Sequence, residues 1–442
     1  MGDFKAKDNA FGGSMDKRPD DRLMSLNGLK YAMPQNLSSS VHTSFKKQYA
    51  QKSNYSPGNT IIFDLNTGSD YIDPTSCSLV LPITFSVGTN SNNDNRVTFG
   101  GGSAANLIET LVIKSKSGVE LERLEHCHYL SKIRLENTVG TDGKRVLDGA
   151  GHGVTYQPGA TTVWDETKLI IPMQMISKFW NPVVKGMKIP GELSSGMRLE
   201  LTLTPAARAL TLSGTGTVVG YTIADPVLWY YTSALDDPTQ AALMSESANN
   251  SLEYTWHSYF ATHIPAGTAT TVNEQVKKAV SQAVRVFTVV YDTTGSEAVS
   301  LEAEDGFASI PGAPLPASGA AFNEFVSYQY RVGSQYFPQS VVSSVQEAEY
   351  HAACAFNNVR DLTASPSSPS QAEYQAGSMV LAAGLEKDSR LNLSGIPLNN
   401  SNVCELRLVM GASEGSGERD VLIFIEYVSV ARSRVGRVDL KI

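Results

Sequence analysis

Three groups of residues have types and spacings that suit chemistry. His126-Cys127-His128 puts two imidazoles two positions apart, so on a strand both project to one side and the thiol to the other. With His152 and Asp148 from a downstream loop they would approach a zinc ligand set, which needs several N, S or O donors converging on one point. Nothing in the spacing ties that loop to the pair, so packed side chains with polar tips at a surface or interface are the expectation. Glu120, Glu122 and Glu125 supply carboxylates. Glycoside hydrolysis requires two of them facing each other at about 5–5.5 Å or 6.5–9.5 Å. Spacing alone does not provide that, and solvated charges on a strand edge are expected instead. The glycine-rich FGGGS at Phe99–Ser103 has no lysine at a phosphate-loop position, and neither Ser334 nor Ser394 sits in a GxSxG turn. No catalytic group, metal or cofactor is therefore expected, and the chain does not read as an enzyme.

The elements that would position these residues are mostly strands. Gly196–Thr204 (GMRLELTLT) alternates Met197, Leu199, Leu201 and Leu203 with polar partners, which predicts one packed and one polar face. Cys404–Met410 (CELRLVM) alternates in the same way. Thr60–Leu65, Cys77–Val87, Leu107–Lys114, Thr167–Met173, Val218–Tyr231, Leu252–His263, Ala283–Tyr291, Phe325–Phe337, Ser378–Leu385 and Val421–Val430 are further strand candidates. Pro82 hints at an edge or bulge. A hairpin around Ser117-Gly118 would lead into a strand with Val119, Leu121, Arg123, Glu125 and Cys127 on one face and Glu120, Glu122, Leu124, His126 and His128 on the other, a helical turn being the alternative. Residues 140–159 read as a long loop, while Glu347–Phe356 and LDDPTQAALMSES after Ala234 read as short helices. No β–helix–β rhythm appears, and few segments are long enough to cover a parallel sheet with helices. The pattern predicts an all-β protein: two consecutive antiparallel β-sandwich domains with long loops and few short helices, over 58–245 and 246–442, after an irregular leader or arm over 1–57.

Composition agrees. Of 442 residues, 41% are hydrophobic, enough for sizeable packed cores. A net charge of −8 gives no support to extensive nucleic-acid wrapping. Cys77, Cys127, Cys354 and Cys404 form no CxxC and read as free thiols. The polar N-terminus is not expected to be a secretory signal, and no run of 18 apolar residues predicts a membrane span.

Two loops and one tail stand out. In YQYRVGSQYFPQ (Tyr328–Gln339), Tyr328, Tyr330, Val332 and Ser334 share a face opposite Gln329 and Arg331. Gly333 would permit a bend before Tyr336 and Phe337, and Pro338 would hold Phe337 extended. This describes a strand ending in an aromatic corner rather than a ligand groove, with Arg331 available to bridge to a carboxylate or carbonyl across an interface. LNLSGIPLNNSN reads as a structured crossover loop in which Asn399 and Asn400 cap neighbouring backbone. Arg432, Arg434 and Arg437 form the strongest basic cluster, first for a subunit contact, otherwise for a minor partner or nucleic acid.

Three of these segments carry a family resemblance: YRVGSQYFP (Tyr330–Pro338), LEKDSRLNLSGIPLNNSN (Leu385–Asn402) and the closing VLIFIEYVSVARSRVGRVDLKI from Val421. They resemble the major capsid proteins of double jelly-roll DNA viruses, particularly the branch of small viruses related to polinton-like viruses and virophages. The likeness covers about residues 58–442. It implies two eight-stranded jelly rolls in series and homotrimers acting as pseudo-hexameric capsomers of an icosahedral shell. It further implies trimer–trimer contacts, penton or minor capsid proteins as partners, and a virion location after assembly inside the host cell. The N-terminal arm would lie at the inner face or between capsomers, with modest contact to the genome. Two other readings stand beside it. One is a tandem β-sandwich that binds or acts on carbohydrate, with Trp164, Trp180, Trp229 and Trp256 as platforms; the other is a minor capsid or spike protein.

Overall fold

The computed structural model describes residues 40–87, 96–99, 103–152, 167–213, 218–235, 241, 245, 252–292, 325–356, 374, 379–386, 395–410, 419–434 and 437–441. Residues 40–442 form one compact unit.

Among the described residues every strand pairing in the sheets is antiparallel and stays within 40–235 or within 252–441. In the first part the strands are β1 (Ser40–Tyr49), β2 (Asn54–Tyr55), β3 (Thr60–Asp64), β4 (Tyr71–Val87), β5 (Arg96–Phe99), β6 (Ile108–Lys114), β7 (Glu120–Leu124), β8 (Thr167–Pro172), β9 (Arg198–Leu203), β10 (Leu210–Ser213), β11 (Val218–Ala224) and β12 (Val227–Leu235). A six-stranded sheet has the order β1-β12-β4-β11-β2 with β8 also on β4, and a four-stranded sheet has the order β3-β9-β6-β7. In the second part they are β13 (Leu252–Gly267), β14 (Thr271–Val276), β15 (Val280–Asp292), β16 (Phe325–Val332), β17 (Gln335–Val342), β18 (Leu381–Gly384), β19 (Ile396–Leu398), β20 (Cys404–Met410), β21 (Arg419–Arg434) and β22 (Arg437–Lys441). Here a six-stranded sheet has the order β13-β21-β15-β18 with β19 and β22 attached, and a four-stranded sheet has the order β14-β20-β16-β17. Apart from the hairpins β6–β7, β16–β17 and β21–β22, neighbouring strands are not consecutive in sequence.

The alternating strands behave as their patterns predict. β9 buries Leu199, Leu201 and Leu203 and leaves Arg198, Glu200 and Thr202 half-buried, and β20 buries Cys404, Leu406, Leu408 and Met410. β6 and β7 form the hairpin around Gly118, whose φ of 81° suits a residue without Cβ. Pro82 lies inside β4 rather than on an edge strand. There β4 changes partner from β12, which ends at Val80, to β11, which begins at Ile83, so the missing N–H falls at a natural break.

Four expectations are corrected. The predicted leader over 1–57 is not irregular from Ser40 onward: β1 pairs along β12 and β2 pairs with β11. The strand through 126–128 stops at Leu124, and Cys127–Thr138 is a helix, α1. Its N-cap, His126, has φ 56°, a left-handed turn that redirects the chain where strand pairing would otherwise continue. The predicted loop over 140–159 holds a second helix, α2 (Thr141–Gly149), followed by residues outside those described. Glu122, expected on a solvated edge, is 3% exposed, because β7 packs against the second part of the chain. The helix read over Glu347–Phe356 is present as α3 (Val345–Ala355), capped by Ser344 accepting from the Glu347 N–H. Of the helix expected after Ala234, Ala241 and Ser245 are described and both are helical, while the FGGGS glycines and Trp164 lie outside the described residues.

Candidate assembly surfaces and the buried junction

The YQYRVGSQYFPQ stretch is a hairpin joining β16 to β17. Tyr328, Tyr330 and Val332 point into the core, and the Tyr330 hydroxyl donates to the Leu381 carbonyl at 2.8 Å and accepts from the Thr288 hydroxyl at 2.7 Å. Arg331, expected to reach across an interface, instead turns within its own chain. Its Nε donates to the Gly333 carbonyl at 2.9 Å, and its guanidinium lies 3.8 Å from Glu405 on the adjacent strand, because register places Arg331 opposite Glu405. Gly333 turns the hairpin with φ 59°. A Cβ there would sit 2.6 Å from Asn402 Oδ1. Asn402 belongs to the turn predicted at Asn399–Asn400, where the Asn399 side chain accepts from the backbone N–H groups of Ser401 and Asn402 at 2.9 and 3.0 Å. Asn400 is exposed and beside that turn. The hairpin and the Asn399 turn are therefore one corner. Gly333→Ala is expected to lose about 1–2 kcal/mol, mainly from the left-handed backbone. Urea titration checks this, and the loss should shrink little in a Gly333→Ala/Asn402→Gly pair if the backbone dominates.

Tyr336, Phe337 and Pro338 follow on β17, the last strand of its sheet, with Tyr336 exposed and Phe337 and Pro338 half-buried. Arg432 forms a cross-strand ion pair with Glu253 at 2.8 Å, which takes its charge out of the predicted basic cluster. Arg434 and Arg437 face each other in the β21–β22 hairpin register.

The zinc reading fails on placement. Cys127 is fully buried, with its thiol on the Leu124 carbonyl and its pKa driven up by burial. His152 is held by Ser103 Oγ at Nδ1 and the Ile170 carbonyl at Nε2. Burial lowers His126 to about 4 and His128 to about 3, with His263 and Arg208 adding repulsion at His126. Among the described residues no group of three or more His, Cys, Asp or Glu could hold a metal ion. The carbohydrate platforms fail as well. Trp180 and Trp256 are fully buried, and Trp229 meets Phe45 edge-to-face at 5.8 Å with Lys47 Nζ 5.5 Å from its ring centre.

What sequence reasoning missed is a polar junction between the two parts of the chain. The helical turns Met173–Ile176 and Lys178–Trp180 carry residues 173–180 onto β13 and β21. Phe179 packs against Trp180, Tyr254 and Trp256 with ring centroids 5.0–5.3 Å away. Inside this aromatic wall Glu122 accepts from Ser177 Oγ and from Trp256 Nε1. Burial pushes its carboxyl up to about 7 against those hydrogen bonds. Glu426, fully buried in the middle of β21, faces Lys178 Nζ at 2.6 Å, His257 Nδ1 at 2.7 Å and Arg285 Nε at 2.8 Å. Burial pushes the Glu426 carboxyl up, but Arg285, Lys178 and His257 together outweigh it and hold it well below the usual range. One signal was visible: Glu426 is the lone charge in VLIFIEYVSVA, and a charge inside an apolar strand implies a partner.

The outer surface carries two apolar areas. Of the nine large hydrophobic side chains left exposed among the described residues, seven fall on β1, β12, β16, β17 and α3. Exposure so concentrated marks interaction surfaces rather than scattered surface residues.

No protein-family model and no curated protein sequence matches the chain. Solved structures do match along nearly its whole length. The Faustovirus major capsid protein superposes with a TM-score of 0.61 at 7% identity, covering 95% of each chain. The mavirus major capsid protein gives 0.53 at 11% identity, covering 94% of this chain and 93% of that one. A chain in the structure of the Sputnik virophage gives 0.56 at 12% identity, covering 93% and 91%. This chain has the double jelly-roll fold. The two parts with separate sheets are its two jelly rolls, and the Glu122 and Glu426 sites lie where the double jelly roll joins them.

Proposed function

We propose that this chain is a major capsid protein that trimerises into pseudo-hexameric capsomers and builds an icosahedral shell, with no catalytic role. The observation that carries the reading is the end-to-end correspondence of both jelly rolls with viral major capsid proteins, at 95% coverage of each chain in the Faustovirus case. A two-sandwich unit repeated about a threefold axis presents six similar barrels, which suits sixfold neighbours in a shell. The concentrated apolar exposure on both jelly rolls supports self-association. The stretch between β12 and β13 is the junction between domains, residues ahead of β1 are the arm, and the location is the virion. Penton or minor capsid proteins would complete the shell, and genome contact is modest at a net charge of −8. The corner at Gly333 and Asn399 is architectural, and Arg434 and Arg437 are left as candidates for subunit contact.

Light scattering after size exclusion, followed by electron microscopy of the peak, tests this. The expected species has three times the 47.6 kDa protomer mass and a pseudo-hexagonal outline. A monomer across salt and pH conditions would overturn the reading. A trimer that caps vertices or projects from a shell, without tiling, would move the protein to a minor or spike role.

A further inference from the structure

Four of the chain's seven histidines, His126, His128, His257 and His263, lie where the two jelly rolls meet. His257 is held by Glu426. The other three form a cluster of their own. His126 caps α1 and His128 stands in its first turn, both from the first jelly roll, and His263 comes from β13 of the second. Between ring centres, His126 lies 6.0 Å from His128 and 6.1 Å from His263. Tyr129 and Tyr291 close the group, 5.0 Å apart across the same boundary, and Tyr291 stacks on His263 at 6.3 Å. His128 is 5% exposed, and its Nδ1 is buried without a hydrogen-bond partner. Neutral imidazoles suit such packing, and imidazolium ions do not. From β21, Asp420 Oδ2 meets His263 Nε2 at 2.7 Å. From the turn Ala206–Ala209, Arg208 opposes a proton on either His126 or His128, and Glu109 of β6 offsets it from 3.7 Å. On α1 itself the next charge is Lys132, one turn beyond His128. Among the described residues no carboxylate pairs with His126 or His128, the histidine ion pairs being those of His257 and His263. The amino end of a helix also disfavours positive charge.

We infer that this cluster is an acid-sensitive latch between the two jelly rolls, closed while its imidazoles are neutral and opened when protons enter and the start of α1 draws away from the end of β13. The inference concerns the joint within one chain and does not depend on the capsomer reading. In the closed form burial, with the neighbouring cations, holds His126 at about 4 and His128 at about 3. In an opened form the rings reach water and titrate near 6.5. Above that pH, protons do not distinguish the two forms. As the pH falls through 6.5 toward the closed values, the open form takes its protons first, and at pH 5 each ring favours opening by about 30-fold. Glu122, at the same joint, acts the other way, since a protonated carboxyl suits burial. The histidine contribution is therefore read as the difference between chains that share Glu122.

Amide hydrogen exchange read by mass spectrometry tests the latch, at pH 7.5, 6 and 5 with rates corrected for the intrinsic chemistry at each pH. Wild type is compared with His126→Asn/His128→Gln and with Arg208→Gln. Asparagine accepts the left-handed backbone at position 126, and neither replacement takes a proton in this range. In wild type, exchange over Cys127–Thr138 (α1) is expected to accelerate about 10-fold between pH 7.5 and pH 5, the Glu122 offset included. Cys404–Met410 (β20), in the core of the second jelly roll, should keep its rate. The histidine variant should lose most of the acceleration. Arg208→Gln keeps both imidazoles but removes a cation that opposes their protonation in the closed form, so it should lose part of it. No acceleration in wild type, equal acceleration in the histidine variant, or α1 and β20 loosening together at one pH overturns the latch. Should the histidine variant fail to fold, Arg208→Gln decides, and an unchanged acceleration there overturns it.

Discussion

Glu426→Gln is expected to cost about 3–5 kcal/mol of folding stability, the range for removing one partner of a buried ion pair. The substitution keeps the shape of the side chain, so little of the loss comes from packing. What changes is that Lys178 and Arg285 remain drawn from water without the carboxylate that faces them at 2.6 and 2.8 Å. Denaturant unfolding at neutral pH measures the loss. The mechanism predicts a second result: Glu426→Leu combined with Lys178→Met and Arg285→Met removes all the permanent charges together and recovers much of the stability. A Glu426→Gln protein within about 0.5 kcal/mol of wild type would mean that water reaches the cluster, since surface substitutions fall in that range. The pH dependence follows from the lowered pKa. The unfolded carboxyl titrates near 4.5, so the Glu426 contribution is complete above that pH and is lost as the pH falls toward its native value. The Gln variant lacks that acid-side loss.

Glu122→Gln is expected to act in the opposite direction. Native Glu122 titrates at about 7, against 4.5 unfolded. Below pH 4.5 both states hold the proton and burial carries no charge penalty. Between 4.5 and 7 the unfolded chain gives up its proton first, so stability falls as the pH rises. Above 7 the full penalty is present, about 3 kcal/mol. Glutamine has no proton to lose, and it can still accept from Trp256 Nε1 and bond Ser177 Oγ. The variant should therefore gain on wild type at pH 8 and lose that advantage at pH 4.5. Comparing wild type and variant across this window isolates the group, because Glu426 contributes equally to both. Equal pH profiles for the two proteins would mean that Glu122 is already ionised at no cost.

The two sites together give the double jelly roll a polar joint within an aromatic wall. An apolar joint would bury comparable area, but it would fix the angle between the jelly rolls less tightly. Hydrogen bonds and ion pairs are directional, and Glu122 and Glu426 meet partners from both sides of the joint. In the capsomer proposed above, a threefold ring of alternating jelly rolls would require such a fixed angle.

The sequence by itself determined the class of fold. MRLELTL and CELRLVM alternate with period two, and this period decides which side of a strand is buried before any partner is known. Tyr328, Tyr330 and Val332 were legible for the same reason, as was Gly333, since a tight turn there demands left-handed backbone. Asn399 as a cap was legible because its hydrogen bonds reach only three residues along the chain. Tertiary structure alone decided everything that depends on distant partners. Leu121 and Glu122 are consecutive on one short strand and face opposite sides, yet both are buried, because β7 lies between its own sheet's packed face and the second part of the chain. Arg331 and Arg432 looked free for an interface, yet the register of β16 on β20 and of β13 on β21 sets Glu405 and Glu253 opposite them. The ligand-like spacing of His126, Cys127 and His128 dissolved once the chain turned into α1. Local backbone preference and side-chain period are properties of a few consecutive residues. The charge state of a carboxylate and the freedom of an arginine are set by whatever the fold brings within about 4 Å, from as far as 248 positions along the chain in the pair of Lys178 with Glu426.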